Sequence, residues 1–271
     1  MRGRVLVAGV ASLVFACVGT TGGELVSFSA AAAGPADAQP GMPLAFTTGA
    51  WHVVLAKAIL HIGAVYLDQS LPVSGSQGTS CIFPGTYVAQ VTTGRDVDLL
   101  SPTPQPFPVQ GQGTTLPQAL VGQIWLTCGN VNEEAQASCR SGSSANAILI
   151  IAGTADDLNG TSVPFEGTIT IGTNRQATGA QAAGSDPICK ERIVSIPTNV
   201  TVQATGGLLV RVDPRQLFNK VDFSQLTKLP DGNFGFSDDP SSASYTQPSR
   251  NLYQNLRSAG AVYSFTWSDQ L

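Results

Sequence analysis

The sequence is poor in charge and in the side chains that most often carry chemistry. Of its 271 residues only 12% are charged, and histidine and methionine occur twice each. A globular protein averages roughly 25% charged residues. The net charge is -4 and no basic run concentrates positive charge, so we expect no nucleic-acid partner.

Glycine and proline are plentiful instead, with 29 and 17 residues, between runs rich in Val, Ile and Thr. This pattern predicts an all-β protein with many turns, and we expect a β-sandwich or jelly-roll-like fold with two short helices near the C-terminus. An outer-membrane barrel is the competing β architecture. The short strands and the 7% of aromatic residues favour the sandwich, because such a barrel needs longer strands and aromatic girdles.

The N-terminus has the composition of a bacterial export signal. Residues 1–4 are basic, Val5–Ala16 form an apolar run too short to span a bilayer, and Cys17 follows in a Val-Phe-Ala-Cys context that resembles the lipobox. We predict a signal peptide over residues 1–16, with Cys17 as the lipidated first residue of a lipoprotein. The lipid on Cys17 would be its only membrane contact, at the outer membrane and periplasm or the cell surface. The alternative is cleavage after residues 36–38 (Ala-Asp-Ala), which removes Cys17 and secretes the protein.

The rest of the chain divides into two predicted parts. Residues 17–48 are rich in Gly, Ala, Thr and Pro and nearly uncharged, which is typical of a flexible tether. Residues 49–271 contain the apolar runs and are predicted to form a single domain. No internal repeat divides this second part.

Four cysteines lie in the predicted domain. They are Cys81, Cys128, Cys139 and Cys189. In an oxidising compartment an even number of cysteines predicts two structural disulfides, and three connectivities are open. No C-x-x-C spacing indicates zinc or redox chemistry.

Apolar alternation predicts the strands. Trp51–Leu55 and Ile59–Leu67 read as two strands, with Ala56-Lys57-Ala58 between them. Asn146–Thr154 and Ser162–Gly172 flank an Asn-Gly turn, which is the strongest local hairpin signal.

The C-terminal third predicts one further hairpin and the two helices. The hairpin pairs Ile193–Ala204 with Leu208–Val212. Asp213 followed by proline predicts the start of the first helix, and Ser249 is the expected N-cap of the second.

Two sets of residues suggest a metal. The histidines His52 and His61 suit a transition metal, but nine positions place them on opposite faces of an uninterrupted strand. A second set of oxygen ligands suits calcium and comprises Asp231, Asn233, Asp238 and Asp239. Turn chemistry explains that second set equally, so we expect no cofactor, with calcium or a transition metal as the alternative.

Hydrolytic chemistry has little support. No G-x-S-x-G motif is present, and no catalytic residue is assigned. Glu166 with Asp213 or Asp222 is the candidate carboxylate pair for glycoside cleavage, but Glu166 is expected to point outward, opposite Phe165. Three tryptophans are expected in the core, with sugar stacking as the alternative, and are Trp51, Trp125 and Trp267.

Two stretches resemble uncharacterised exported bacterial β-rich lipoproteins. The first is VVLAKAILHIGAVYL (residues 53–67) followed by RDVDLL (residues 95–100), and the second is RVDP (residues 211–214) with the Leu-Phe and Val-Asp-Phe that follow it. The resemblance implies a cell-envelope setting and transfers no site residues. We therefore expect a non-enzymatic envelope binding or structural module with an envelope protein or glycan as partner. A calcium- or transition-metal-dependent binding protein is the first alternative and a secreted hydrolase the second.

Overall fold

A computed structural model describes residues 23–70, 87–127, 146–171 and 192–271. In these residues the predicted all-β class is confirmed, since sixteen strands accompany one α-helix and two 3₁₀ helices. The strands are β1 (Leu25–Ala33), β2 (Leu44–Thr48), β3 (Trp51–Ile62), β4 (Ala64–Asp68), β5 (Tyr87–Val91), β6 (Arg95–Asp98), β7 (Gln105–Pro106), β8 (Gly111–Thr114), β9 (Ala119–Trp125), β10 (Leu149–Asp157), β11 (Ser162–Ile169), β12 (Arg192–Val200), β13 (Gly207–Val212), β14 (Thr227–Lys228), β15 (Phe234–Ser237) and β16 (Tyr263–Ser268). The 3₁₀ helices are Pro214–Phe218 and Phe223–Gln225, and α1 is Gln247–Leu256.

The strands form two sheets. The nine-stranded sheet has the order β12-β9-β4-β5-β8-β1-β13-β16, with β7 also paired to β1. The seven-stranded sheet has the order β14-β15-β11-β10-β3-β2, with β6 also paired to β3. Alternate side chains of both sheets enter one hydrophobic core, which is the arrangement of a sandwich.

A single long strand carries the chain from one sheet to the other. Residues 51–62 are continuous in β3, so the prediction of two strands separated at Ala56–Ala58 is wrong. The break comes at Gly63, where a Cβ would lie 2.4 Å from Thr127 Oγ1. The missing side chain lets the chain pass close to the end of β9 and enter the other sheet as β4.

Aromatic rings close one end of the core. Phe218 and Phe223 from the two 3₁₀ helices pack on Phe165 of β11, with ring centroids 5.7 and 5.1 Å away. Trp51 joins the group at 5.5 Å from Phe223 and is 7% exposed. Such rings dominate core energetics, so the short helices are integral to the sandwich.

The N-terminal strand corrects the predicted tether. Within residues 17–48, Leu25–Ala33 form β1, whose residues from Ala30 to Ala33 are at most 4% exposed. β1 is parallel to β13 on one edge and antiparallel to β8 and β7 on the other. Small alanines without charge suggested a linker, but the same residues allow close packing in the middle of a sheet.

The two predicted hairpins had different outcomes. The β10–β11 hairpin is confirmed, with Ile151 opposite Gly167. The second hairpin is wrong, because β12 pairs with β9 and β13 pairs with β1 and β16. Alternation in Leu208–Val212 indicated a buried face, and that face is buried, but alternation does not specify the neighbouring strand.

Both predicted helical regions are helical. Asp213 accepts the N–H of Arg215 at 3.0 Å and caps the first 3₁₀ helix. The α-helix starts earlier than predicted, with Thr246 as its N-cap residue. Ser249 instead donates its hydroxyl to the carbonyl of Ser244 at 2.7 Å.

The predictions for the signal peptide (residues 1–16), for lipidation at Cys17 and for the four disulfide cysteines lie outside the described residues. Among the helices of the described ranges, none is long and apolar enough to cross a membrane.

Candidate functional site

A β-bulge in β3 places Lys57 on the outer face of the seven-stranded sheet. Leu55 lies opposite Gly153 and Lys57 opposite Ala152, so Ala56 is an extra residue in β3. A bulge changes which residues of its strand face inward. Odd-numbered positions are buried before the bulge and even-numbered positions after it, which leaves the Lys57 side chain exposed.

Lys57 begins a row of residues that crosses four strands. Ala152 lies opposite both Lys57 and Glu166, and Glu166 lies opposite Gly235. Neighbouring strands are about 4.8 Å apart, so the Cα atoms of Lys57 and Glu166 are about 10 Å apart. Ala152 and Gly235 have little or no side chain, so the surface on both sides of Glu166 is recessed.

The row forms the floor of an open cavity of about 480 Å³, which we name the Lys57 groove. Its lining includes Lys57, Ala152, Glu166, Gly235, Ser242 and Ser244. A second cavity of about 340 Å³ reaches Lys57 from the other side, between Met42 and Asp98. Lys57 therefore lines both cavities.

The Lys57 groove combines opposite charges with hydroxyl groups. Among the described residues that line it, Lys57 is the only cation and Glu166 the only acid. Neither forms an ion pair within the described part of the chain. The hydroxyl of Ser237, also in the lining, accepts the N–H of Asp239, and that of Ser242 accepts the N–H of Ser244. Each hydroxyl keeps its own proton to donate.

The outer face of the nine-stranded sheet carries a contrasting group of polar and aromatic side chains, the Asp68 cluster. It consists of Tyr66, Asp68, Tyr87, Gln123, Trp125 and Arg192. Arg192 lies over the ring of Trp125 at 5.4 Å, and the Tyr66 ring lies 5.4 Å from Tyr87 and 6.2 Å from Trp125. Asp68 and Gln123 are each 1% exposed.

Burial controls ionisation in the Asp68 cluster. It raises the pKa of Asp68 to about 6, because removal from water disfavours the carboxylate, although the Gln123 amide and the charge of Arg192 act in the opposite direction. Burial also raises the pKa of Tyr66 to about 12 and lowers the pKa of Arg192 to about 10.

One carboxylate oxygen of Asp68 has no hydrogen-bond partner in the described part of the chain. The Gln123 amide donates to Oδ2, whereas Oδ1 and the Gln123 Oε1 are buried without a partner among the described residues. Perturbed carboxyls of this kind occur at functional sites. A ligand in solution has no contact surface on a fully buried oxygen, however, so the open Lys57 groove is the better candidate for a binding site.

The two histidines do not meet. The bulge puts both on the outer face of β3, so the expectation of opposite faces does not apply, but nine residues of strand separate them by about 30 Å. His52 is exposed opposite Asp156. His61 is 8% exposed, and its Nδ1 lies 2.7 Å from Asp96 Oδ1.

The four candidate calcium ligands are hydrogen-bonded within the protein. Asp231 accepts the N–H of Asn233 at 3.0 Å, and Asp239 accepts that of Ser241 at 2.9 Å. Asp238 is 1% exposed and accepts the N–H groups of residues 170 and 171 at 2.8 and 2.7 Å. Across the described ranges no three His, Cys, Asp or Glu residues form a group that could hold a metal ion.

The considered carboxylate pair is not formed. Glu166 is exposed and Phe165 buried, as predicted. Asp213 instead binds Arg215 at 2.8 Å, and Asp222 accepts the hydroxyl of Ser224 at 2.7 Å. Neither aspartate lines the Lys57 groove with Glu166, and glycoside hydrolysis requires two carboxyls.

Of the three tryptophans, only Trp51 is in the core. Trp125 belongs to the Asp68 cluster, and Trp267 packs on Phe28 at 5.1 Å and donates to the Thr205 carbonyl at 3.0 Å. No described tryptophan lines the Lys57 groove.

Sequence reasoning missed Lys57. The signal was the change of phase in the apolar residues of β3, from Trp51, Val53 and Leu55 to Ala58 and later even positions. Such a change of phase fits either two separate strands or one strand with a bulge, and the protein has the bulge.

Comparison with known proteins does not identify a family for this chain. No protein-family model matches the chain, and no curated protein matches it. Among solved structures the chain is similar to MbnP from Methylosinus trichosporium, with 13% identity and a TM-score of 0.41 over 90% of this chain and 99% of that chain. A likeness at this TM-score carries no argument about what the protein does.

Proposed function

We propose that the protein is a non-enzymatic binding module of the bacterial cell envelope and that it binds a small polar ligand in the Lys57 groove. One observation carries the proposal. Lys57 and Glu166 lie on either side of Ala152, exposed and without ion-pair partners in the described ranges. A few polar groups that converge on a concave surface are a usual feature of ligand sites, where they fix the orientation of the ligand.

A binding role fits this groove better than hydrolysis. Glu166 is the only acid among its described lining residues, so an acid and a base of the glycosidase type are not both present. Appreciable turnover of esters or glycosides that Glu166→Gln abolishes would therefore contradict the proposal.

The envelope setting rests on the N-terminal sequence, and the position of β1 supports processing at Cys17 over the alternative cleavage after residues 36–38. Cleavage after Ala38 would remove β1, a strand that is paired on both edges. Processing at Cys17 keeps this strand. Mass spectrometry of the membrane fraction tests the assignment, because a diacylglyceryl group on Cys17 is expected.

The binding proposal is tested by thermal unfolding of the full chain with four ligand classes: amino acids and short peptides, neutral sugars, sugar acids, and linear carboxylates. We expect at least one class to raise the Tm. A ligand at one hundred times its Kd stabilises by about 2.7 kcal/mol, which raises the Tm by roughly 5–11 °C for a domain of this size.

Ala152→Phe is the diagnostic variant, because a ring at this position fills the groove between Lys57 and Glu166. We expect it to abolish the Tm increase. Thr154→Phe is the matched control, since Thr154 faces outward two residues further along β10 and is not in the lining. If no class stabilises the wild-type protein, or if both variants respond as the wild type does, the proposal is wrong.

A further inference from the structure

The arrangement of charge in the Lys57 groove indicates a class of ligand. A single cation and a single acid lie on either side of a small residue, and neither is neutralised by a partner in the described part of the chain. A purely anionic ligand would be repelled by Glu166 and a purely cationic one by Lys57. A molecule with a carboxylate at one end and an ammonium at the other satisfies both side chains.

We propose that the Lys57 groove binds short peptides with free termini, with the terminal carboxylate on Lys57 and the terminal ammonium on Glu166. This inference rests on the proposed binding function and specifies its ligand.

The spacing favours two or three residues. The Cα atoms of Lys57 and Glu166 are about 10 Å apart, at two strand spacings. An extended peptide spans about 3.3–3.6 Å per residue. Two or three residues therefore place their termini within reach of the two flexible side chains.

The surroundings favour a peptide over a sugar. Sugar sites commonly offer the exposed face of an aromatic ring, but the only aromatic residue in the described lining is Phe236, which is 3% exposed. Beyond Glu166 the groove continues to Ser242 and Ser244. The hydroxyl proton of Ser242 is available to the carbonyl or side chain of the first peptide residue.

Calorimetric titration of the full chain at pH 7 tests the inference with three probes: trialanine, N-acetyl-trialanine and trialanine amide. We expect wild-type protein to bind trialanine at least tenfold more tightly than either blocked form. The amide loses the carboxylate that Lys57 would bind, and the acetyl form loses the ammonium that Glu166 would bind.

Two variants separate the two ends of the ligand. Lys57→Gln should bind trialanine and its amide equally while still discriminating against the acetyl form. Glu166→Gln should show the reverse pattern. A general loss of folding would not produce these opposite selectivities, and the exposed positions of both residues make unfolding a minor concern.

The outcomes distinguish the inference from the function on which it rests. Equal binding of all three probes, or binding of none at millimolar concentration, overturns the peptide inference. If a sugar acid then stabilises the wild type but not Ala152→Phe, the binding function stands with another ligand. If no ligand class binds in an Ala152-dependent manner, both proposals fail.

Discussion

Charged side chains on the outer faces of the two sheets differ in their exposure to water. In the Lys57 groove, a lysine and a glutamate are exposed on either side of a small alanine. In the Asp68 cluster, an aspartate on the corresponding face of the other sheet is 1% exposed beneath aromatic and polar neighbours. An outward position in a strand therefore does not determine access to water. Accessible charges are available to a ligand, whereas buried ones act on stability.

Removing the charge of Arg192 should have the largest effect. Arg192→Met keeps an apolar side chain over Trp125 but leaves Asp68 without the nearby positive charge that lowers its pKa. Substitutions that disturb a buried charge cost more than most single substitutions and reach about 3 kcal/mol. We expect urea unfolding at pH 7 to show a loss of this size, and a smaller loss at pH 5, where Asp68 is mostly protonated.

Lys57→Met is the control for this prediction, because it removes a positive charge from the exposed groove. Its effect on unfolding should be below about 0.5 kcal/mol. Equal losses for Arg192→Met at both pH values would instead show that Arg192 acts through packing alone.

Asp68→Asn should remove part of the pH dependence of the free energy of unfolding. The pKa of Asp68 is raised to about 6 in the folded protein, from 3.8, so the unfolded chain loses this proton at lower pH than the folded one. The protonated carboxyl therefore stabilises the folded protein below about pH 4, and this contribution is lost as the pH rises through 6. The loss in the free energy of unfolding is about 3 kcal/mol.

Unfolding of the wild type and of Asp68→Asn between pH 4 and 7 measures this effect. The free-energy difference between the two proteins should change by about that amount across the range. For Glu166→Gln, which alters an exposed carboxyl, the free energy of unfolding should change with pH as it does in the wild type. If the free energies of unfolding of Asp68→Asn and the wild type changed in parallel with pH, Asp68 would not have a pKa raised by burial.

The smallest effects on stability are expected in the groove itself. Lys57→Gln and Glu166→Gln should each change the free energy of unfolding by less than about 0.5 kcal/mol, because exposed charges contribute little. A loss above 1 kcal/mol in urea unfolding would show that the two residues stabilise the fold. Exposed charges on one sheet and buried charges on the other would then no longer differ in their effect on stability.

Local sequence signals predicted the features that depend on neighbouring residues. Asn159-Gly160 between apolar runs predicted the β10–β11 hairpin, and alternation around Phe165 predicted that Glu166 faces outward. Asp213 before a proline predicted a capped helical turn. Each depends on backbone preferences within a few residues.

Features that depend on distant pairing could not be predicted in this way. Alternation indicated the buried face of β13 but not its pairing with β1. The groove requires Lys57 and Glu166 to lie on either side of Ala152, and no spacing along the chain encodes that register. The surroundings of Asp68 likewise come from β5, β9 and β12.

The parallel pairing of β1 and β13 has a consequence for biogenesis. Ser29 lies opposite Gly207, so the first strand acquires this neighbour only after most of the chain has been synthesised. Contacts between such distant segments form slowly, because a long loop must close first. The nine-stranded sheet is therefore completed late, because its middle joins a strand near residue 30 to one that begins at residue 207.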